Sequence, residues 1–320
     1  MITLSDLRSA QLRINGITTR TRLVEFPLCA EDPRRLLLKP ENQQPIGAFK
    51  LRGAYNKIAS LSPEERQLGV ISYSSGNHAQ GVAYAARALN VKSIIVMPNN
   101  APAIKREATA KLGAAIVLVG PGSDERKAKA EELAAQHGYV IVPPYNDEKI
   151  IAGQGTVGLE ILEDFPEVET VLSPVGGGGL ISGVAAAIKL TNPKAKVIGV
   201  EPELAADAQA SLRQGKIIQF PAEQVSRTLA DGLRTQSIGP INFEHIRAYV
   251  DDIITITEQE IRQAMKYLCQ NPQTVAEPSG AVATAGFIFH AKELPQTKLN
   301  VAIISGGNIE TEMLDQLRRS

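Results

Sequence analysis

The sequence predicts an α/β fold built from two open, mainly parallel α/β units. Short apolar runs, such as SIIVM at 93–97, alternate with helical patterns along most of the chain. Continuous apolar runs of this length are typical of strands in a parallel sheet that helices cover on both faces. The 320 residues also have the length of about two domains.

The order of the elements supports the same interpretation. Gly120, Pro121 and Gly122 end one apolar run before a helical pattern begins at Ser123. One cluster has predicted strands at 69–73, 93–97, 114–119 and 139–142, with helices at 76–89, 102–112 and 123–136. A second cluster has predicted strands at 169–172, 196–200, 253–257 and 300–304, with helices at 180–190 and 310–319. The two clusters account for the two units.

Composition excludes several classes of protein. Lys and Arg number 34, and Asp and Glu also number 34, so the formal net charge is 0 and a nucleic-acid binder is not expected. No apolar run reaches the roughly 18 residues of a membrane span. The N-terminus lacks the apolar core of a signal peptide, and Cys29 and Cys269 form no CxxC pair. These features predict a cytoplasmic protein that binds neither nucleic acid nor membrane.

A GxGxxG pattern occurs at 153–158 but lacks the context of a dinucleotide site. That site needs a strand directly before the pattern and an acidic residue about 20 positions after it. The preceding NDEKIIA is typical of a loop and a helix start, and Gly178 occupies the acidic position. We therefore predict that these glycines allow a helix to pack closely on a sheet.

Four consecutive glycines at 176–179 follow a predicted strand and open a predicted helix that starts at Leu180. Their backbone N–H groups are unshielded by side chains, and the helix N-terminus adds a partial positive charge. Since each glycine costs backbone entropy on folding, a bare turn rarely uses four of them. We predict a phosphate-binding cradle, with a flexible turn as the alternative.

Three further motifs place chemically active side chains beside small residues. Lys50 lies within GAFKLRGA at 47–54, where an apolar pocket would lower its pKa and allow a Schiff base to form. SSGNH at 74–78 and ISGGN at 304–308 each follow a predicted strand, at the sheet edge where α/β proteins bind ligands. For Lys50 the alternative is a solvated surface lysine. For SSGNH the alternative is that Ser74 or Ser75 caps a helix and that His78 lies on a face of this helix. For His78 by itself we favour this structural alternative.

Together and in this order, the four motifs resemble the β-family of pyridoxal-phosphate (PLP) enzymes, the tryptophan synthase β-like fold type II. Within it the chain is similar to the serine/threonine dehydratase and serine racemase group. The matching stretches run from about Leu4 to Asn308 and include 152–160, 200–207, 229–233, 251–260 and 277–278. The resemblance implies a larger PLP-binding domain of residues 1–52 and 146–320, a smaller inserted domain of residues 53–145, and the cofactor in the cleft between them.

The resemblance also implies a role in cofactor binding for each matching residue. Lys50 matches the lysine that forms the Schiff base, and Asn77 matches the contact to the cofactor's phenolic oxygen. Ser305 matches the hydroxyl that faces the pyridine nitrogen. The remaining implied cofactor residues are Phe49 beside the ring, Gly176, Gly177, Gly178, Gly179 and Leu180 around the phosphate, and Glu277.

The implied substrate residues belong to the SSGNH motif. Ser74, Ser75, Gly76 and Asn77 match the loop that holds the substrate carboxylate. Ser75 also matches the residue on the cofactor face opposite Lys50, so it would be the second catalytic group in a racemase.

A divalent-cation site of the racemase-like subgroup is matched by Glu201, the carbonyl of Ala205, and Asp207. Two carboxylates six residues apart with a carbonyl between them are also suitable oxygen ligands for Mg²⁺, Mn²⁺ or Ca²⁺. A solvated acidic loop is the alternative.

The activity implied by the resemblance is that of a PLP-dependent L-threonine/L-serine dehydratase. Such an ammonia-lyase eliminates the β-hydroxyl and gives a 2-oxo acid and ammonia. Serine racemase and threo-3-hydroxyaspartate ammonia-lyase are alternatives on the same core, and a non-catalytic ligand-binding paralogue is a third. Ala48, Thr235 and segment 18–23 depart from the usual pattern, which leaves the substrate pocket undefined. The expected partners are a small hydroxy amino acid and a second copy of the chain in a homodimer.

Overall fold

A computed structural model describes residues 1–74, 76–101, 103–120 and 122–319 of the chain. In this part of the chain the strands form one sheet of six strands and one of four. Neighbouring strands are parallel, apart from one antiparallel pair at the edge of the larger sheet. The α/β prediction with mainly parallel sheets is confirmed.

The strands are, in chain order, β1 (Val24–Phe26), β2 (Arg35–Pro40), β3 (Val70–Tyr73), β4 (Ser93–Pro98), β5 (Ala115–Val119), β6 (Val140–Ile141), β7 (Thr170–Pro174), β8 (Lys196–Pro202), β9 (Asp252–Ile256) and β10 (Leu299–Ile304). The larger sheet has the order β1-β2-β10-β7-β8-β9, and the smaller sheet has the order β5-β4-β3-β6. The predicted strands of the first cluster form the smaller sheet.

Neither β1 nor β2 is predicted by the apolar pattern of the sequence. In β2 three leucines are followed by Lys39, and a lysine at a buried strand position interrupts the apolar pattern. Lys39 is fully buried in the structure because its amine pairs with a Glu160 carboxylate oxygen at 2.6 Å. Only the folded chain provides this partner.

The helices are, in chain order, α1 (Leu4–Ile14), α2 (Lys50–Ala59), α3 (Pro63–Leu68), α4 (Asn77–Ala88), α5 (Ala103–Lys111), α6 (Ser123–His137), α7 (Glu148–Asp164), α8 (Gly179–Thr191), α9 (Asp207–Gln214), α10 (Ala222–Val225), α11 (Pro240–Tyr249), α12 (Glu258–Leu268), α13 (Pro278–Phe289) and α14 (Thr311–Arg319). Side-chain capping boxes at Thr3, Ser62 and Thr257 open α1, α3 and α12. The predicted helices correspond to α4, α5, α6, α8 and α14.

The larger sheet carries an apolar layer on each face. Val301 of β10 belongs to the layer that contains α7, α8 and α11, and the next residue, Ala302, belongs to the layer of α12 and α13. Both faces of the strand are buried, which is why its apolar run is continuous. Among the described residues, none of the helices is both long and apolar enough to cross a membrane.

The GxGxxG pattern lies in the middle of α7 and not at a strand-to-helix turn. A Cβ on Gly153 would lie 2.6 Å from the Arg52 carbonyl oxygen of α2, and one on Gly155 would lie 2.7 Å from the Gly183 carbonyl oxygen of α8. These glycines therefore allow three helices to pack closely. The predicted helix–sheet packing was wrong, because the close contacts are between helices.

The smaller sheet falls entirely within residues 53–145, and the strands of the larger sheet fall outside that range. α2 spans residues 52 and 53 and packs against both α4 and α7. The division into domains of residues 1–52 with 146–320 and of residues 53–145 stays a prediction.

Candidate active site

Backbone hydrogen bonds join three distant segments just beyond the end of β10. The Phe49 amide donates to the Ser305 carbonyl at 3.0 Å, and the Glu277 amide donates to the Gly306 carbonyl at 3.1 Å. The start of α2, the loop after β10 and the start of α13 therefore lie side by side. Outside the cradle and Leu180, four of the five residues predicted to bind the cofactor are on these segments, namely Phe49, Lys50, Glu277 and Ser305.

Lys50 is the first residue of α2. Its Nζ donates a hydrogen bond to the Pro144 carbonyl oxygen at 2.8 Å and lies 5.2 Å from the centre of the Phe49 ring. Burial lowers the pKa of this amine from 10.5 to about 8, and no described carboxylate opposes the shift. An amine that loses its proton this easily is suited to forming a Schiff base.

The lowered pKa predicts how Lys50 reacts in the cofactor-free protein. Burial favours the neutral amine, so the protonated fraction falls as the pH rises through about 8. Labelling of Lys50 by trinitrobenzenesulfonate, followed by peptide mass spectrometry, should therefore have its midpoint near pH 8 in the folded chain. In the urea-unfolded chain the midpoint should be near the ordinary value of about 10.4. Equal midpoints in the two states would contradict the effect of burial.

Asn77 is held between two side chains of the opposite segments. Its Nδ2 donates to Glu277 Oε1 at 2.6 Å, and its Oδ1 accepts from Asn308 Nδ2 at 2.7 Å. Burial and the charge of Asp231 raise the pKa of Glu277 to about 7. Sequence reasoning gave no role to Asn308 or Asp231, although Asn308 ends the ISGGN motif. The two contacts fix the amide of Asn77 at the start of α4.

The serines of the predicted site have different surroundings. Ser305 is buried, and its Oγ donates to the Ser279 carbonyl at 3.3 Å. Ser74 Oγ accepts from the Gly76 amide at 3.3 Å. Gly76, and not Ser74, is the residue that precedes α4, so the prediction of Ser74 as its cap was wrong, whereas capping by Ser75 stays untested. Ser75 lies outside the described residues, so its catalytic role stays a prediction.

His78 is a buried neutral residue. Burial, with a smaller contribution from the charge of Lys50, lowers the pKa of its ring to about 3. Its Nε2 lies 3.0 Å from the Val142 carbonyl oxygen, and a neutral ring facing a carbonyl donates its hydrogen there. These contacts support the interpretation of His78 as a structural residue.

The glycine cradle, residues 176–179, connects β7 to α8. At three of its four positions the structure does not accommodate a side chain. Gly178 has a φ of +91°, which favours glycine. A Cβ on Gly177 would lie 2.3 Å from Tyr145 Cδ1, and one on Gly179 would lie 3.0 Å from Tyr145 Cβ. The amides of the first turn of α8 have no partners within the helix, so they are available to an anion.

Glu201 of β8 and Asp207 of α9 are both fully buried. The Glu201 carboxylate accepts from the amides of Ala208 and Gln209 at 3.1 and 2.8 Å. Neither carboxylate oxygen of Asp207 makes a hydrogen bond of ordinary geometry with a described residue. The described residues contain no group of three His, Cys, Asp or Glu side chains that suits a metal, so a carbonyl such as that of Ala205 would be a necessary ligand. The unpartnered Asp207 oxygens fit a divalent cation.

Four buried charges form a network that sequence reasoning missed. Arg52, two residues after Lys50, donates to the carboxylates of Glu41 and Glu160 at 2.7 Å each. Lys39 donates to Glu160 at 2.6 Å. Two cations thus balance two anions, and the network ties the helix of Lys50 to β2 and α7. The only indication in the sequence was the position of Arg52 within the Lys50 motif.

Fold and site together define a class of enzyme that holds a phosphate-bearing aldehyde between a lysine amine and a glycine cradle. The sequence profile described as "pyridoxal-phosphate dependent enzyme" matches residues 14–306, and the chain belongs to that family. This confirms the resemblance on which the predicted roles depend.

Relatives with three different activities cover nearly the whole chain. L-Threonine ammonia-lyase of Thermotoga maritima is 45% identical over 99% of this chain and 78% of its own length. L-threo-3-hydroxyaspartate ammonia-lyase of Saccharomyces cerevisiae is 40% identical over 96% of this chain and 94% of its own. The crystal structure of serine racemase from Dictyostelium discoideum has a TM-score of 0.90 at 36% identity, covering 97% of this chain and 99% of that one.

Proposed function

We propose that this protein is a PLP-dependent ammonia-lyase that removes the β-hydroxyl of L-threonine and L-serine. One structural observation carries the proposal. The Pro144 carbonyl accepts a hydrogen bond from Lys50, and the next residue, Tyr145, packs against Gly177. The lysine amine and the phosphate cradle therefore adjoin the same short segment. The 45% identity with the T. maritima enzyme supports L-threonine as a substrate.

The residues present fit PLP. The Lys50 amine, which pairs with no described carboxylate, would hold the aldehyde carbon, and the cradle amides would hold the phosphate. Asn77 and Ser305 would hold the oxygen and the nitrogen of the ring. When bound, PLP would supply the electron withdrawal that makes the α-hydrogen of the amino acid acidic.

Lys50 is the residue that moves protons in this scheme. Its neutral amine takes the proton from the substrate Cα, and the Pro144 carbonyl, already 2.8 Å from Nζ, accepts a hydrogen bond from the ammonium that results. The electron pair of the broken Cα–H bond expels the β-hydroxyl, which takes a proton from Lys50 and leaves as water. After hydrolysis of the enamine, L-threonine gives 2-oxobutanoate and ammonia, and L-serine gives pyruvate and ammonia.

Ser305 favours elimination because it is neutral. An aspartate at this position would hold a positive charge on the nitrogen that it faces and would prolong the life of a carbanion at Cα. A neutral hydroxyl provides no such charge, and its one hydrogen, which goes to the Ser279 carbonyl here, would turn to the ring nitrogen when the cofactor is held. The negative charge that develops at Cα is therefore short-lived, because the β-substituent departs and carries it away.

A substrate panel tests the proposed function. L-Threonine, L-serine, D-serine and threo-3-hydroxyaspartate would be compared by oxo-acid formation and by the chirality of the remaining amino acid. We expect 2-oxobutanoate from L-threonine with the highest kcat/KM. No oxo acid from either L-threonine or L-serine would contradict the proposal.

Two other results of the same panel would favour the activities of the other relatives over L-threonine ammonia-lyase activity. A higher kcat/KM for threo-3-hydroxyaspartate would favour the activity of the S. cerevisiae relative. Formation of D-serine from L-serine would favour racemisation, for which Ser75 is the proposed second acid–base group.

We further propose that Glu201, the carbonyl of Ala205, and Asp207 hold a divalent cation such as Mg²⁺. The cation would neutralise two buried carboxylates and stabilise the turn between β8 and α9. We expect EDTA to lower the melting temperature, and Mg²⁺ to restore it. Asp207→Asn should lose this response, whereas Glu203→Gln, at an exposed neighbour, should keep it. A melting temperature that is insensitive to EDTA would contradict the site.

A cytoplasmic location and a homodimer complete the proposal. Cys29 and Cys269 are both free, which supports a reducing compartment. Light scattering on the purified protein measures the assembly, and a monomer mass would contradict the homodimer.

A further inference from the structure

The segment of residues 142–147, here called the crossover segment, links β6 of the smaller sheet to α7. Both of its ends are fixed by side chains. The Val142 carbonyl oxygen lies 3.0 Å from Nε2 of His78, and the Asp147 carboxylate pairs with Lys57 Nζ of α2 at 2.6 Å. The crossover segment cannot shift without loss of these contacts.

The middle of the crossover segment contacts both attachment points of the cofactor. Pro143 and Pro144 have a restricted φ and no N–H, so they hold a defined path. The Pro144 carbonyl accepts from Lys50 at 2.8 Å. A Cβ on Gly177 would lie 2.3 to 2.4 Å from three atoms of the Tyr145 ring, Cδ1, Cε1 and Cγ. The ring therefore lies directly against the backbone of the cradle.

We propose that Tyr145 is a positioning residue that holds the glycine cradle at a fixed place relative to the Lys50 amine. The inference rests on the proposed function, because it assumes that PLP is held at both places. A ligand attached at two points binds tightly only when the two points are already at the right separation. The Tyr145 atoms nearest to an added Cβ on Gly177 are ring carbons, so we assign the positioning to the ring.

Three variants test this inference through the dissociation constant of PLP, measured by absorbance titration of the cofactor-free protein. Tyr145→Ala should weaken PLP binding at least about 10-fold, and Tyr145→Phe, which keeps the ring, should stay within about 3-fold of wild type. Phe165→Ala removes a buried aromatic ring just beyond the far end of α7. It should lower the melting temperature and leave PLP affinity within about 3-fold.

The outcomes separate this inference from the proposed function. Wild-type affinity in Tyr145→Ala, or equal losses in Tyr145→Phe and Tyr145→Ala, would overturn the positioning role alone. Failure of the wild-type protein to bind PLP would overturn the proposed function, and the inference with it. If Tyr145→Ala does not fold, Tyr145→Leu fills part of the space and is expected to weaken binding in the same direction.

A double variant tests the ring contact directly. Gly177→Ala places a methyl group where the Tyr145 ring lies, so it should weaken PLP binding by itself. In the Gly177→Ala background, Tyr145→Ala should cost less than in wild type or should recover affinity, since it removes the clash. Fully additive losses would overturn the contact as the origin of the effect.

Discussion

Replacing Lys50 by alanine should abolish both turnover of L-threonine and the yellow absorbance that borohydride removes from the loaded enzyme. The amine is partly buried and donates a hydrogen bond to the Pro144 carbonyl, and desolvation lowers its pKa to about 8. Removal of a general base alone costs about 10²–10⁴-fold in rate. Loss of the covalent attachment to the cofactor adds to this cost. Oxo-acid formation and the absorbance spectrum would be measured on the same preparation.

A matched control is available on α6. Lys127 has a side chain that is 56% exposed, so Lys127→Ala should keep both the rate and the absorbance. Substantial turnover by Lys50→Ala would contradict the role given to this amine. A wild-type protein that folds but has no such absorbance would favour the non-catalytic paralogue.

The second large effect is expected on stability, from the buried network of Arg52, Glu41, Glu160 and Lys39. Arg52→Met leaves two buried carboxylates with one cation, since Lys39 is the remaining partner. Breaking a buried ion pair by removal of one partner costs about 3–5 kcal/mol. Urea unfolding, followed by circular dichroism, should show a large drop in the midpoint. Because Arg52 lies on the helix of Lys50, PLP affinity should fall as well.

Two comparisons make this prediction specific to burial. Arg20→Met removes an ion pair with Glu163 and Asp164 whose arginine is 48% exposed, and should change stability by about 0–1 kcal/mol. The double variant Lys39→Met with Glu160→Gln removes one charge of each sign. It should cost less than the sum of its single variants, because the remaining pair stays balanced. Equal effects of Arg52→Met and Arg20→Met would contradict the importance of burial.

Much of the fold follows from local sequence. The run SIIVM predicts β4 because a strand that is buried on both faces has no solvent-exposed positions that require polar side chains. The glycines after residue 119 mark the end of β5. β2 has the same buried environment but contains Lys39, which is neutralised by Glu160, 121 residues further along the chain. A partner at that distance in sequence cannot be inferred from a local pattern.

The GxGxxG pattern shows the same limit. Its local context was sufficient to exclude a strand-to-helix turn, but not to show what the glycines contact. Gly153 and Gly155 are required by the backbones of α2 and α8, which come from quite different parts of the chain. Packing of this kind depends on the distance between helices, which no single segment determines.

The candidate residues of the active site were predicted from the sequence alone. A lysine in an apolar motif, an asparagine after a strand and a run of glycines before a helix each have a local physical meaning, and the family match supports their assignment. The tertiary structure decided what surrounds them. It placed the Pro144 carbonyl within hydrogen-bond distance of the Lys50 amine, and it packed the Tyr145 ring against the cradle. It also provided Glu277 and Asn308 as hydrogen-bond partners of Asn77. Burial and hydrogen-bond partners set pKa values and positions, and both arise only when distant segments are brought together.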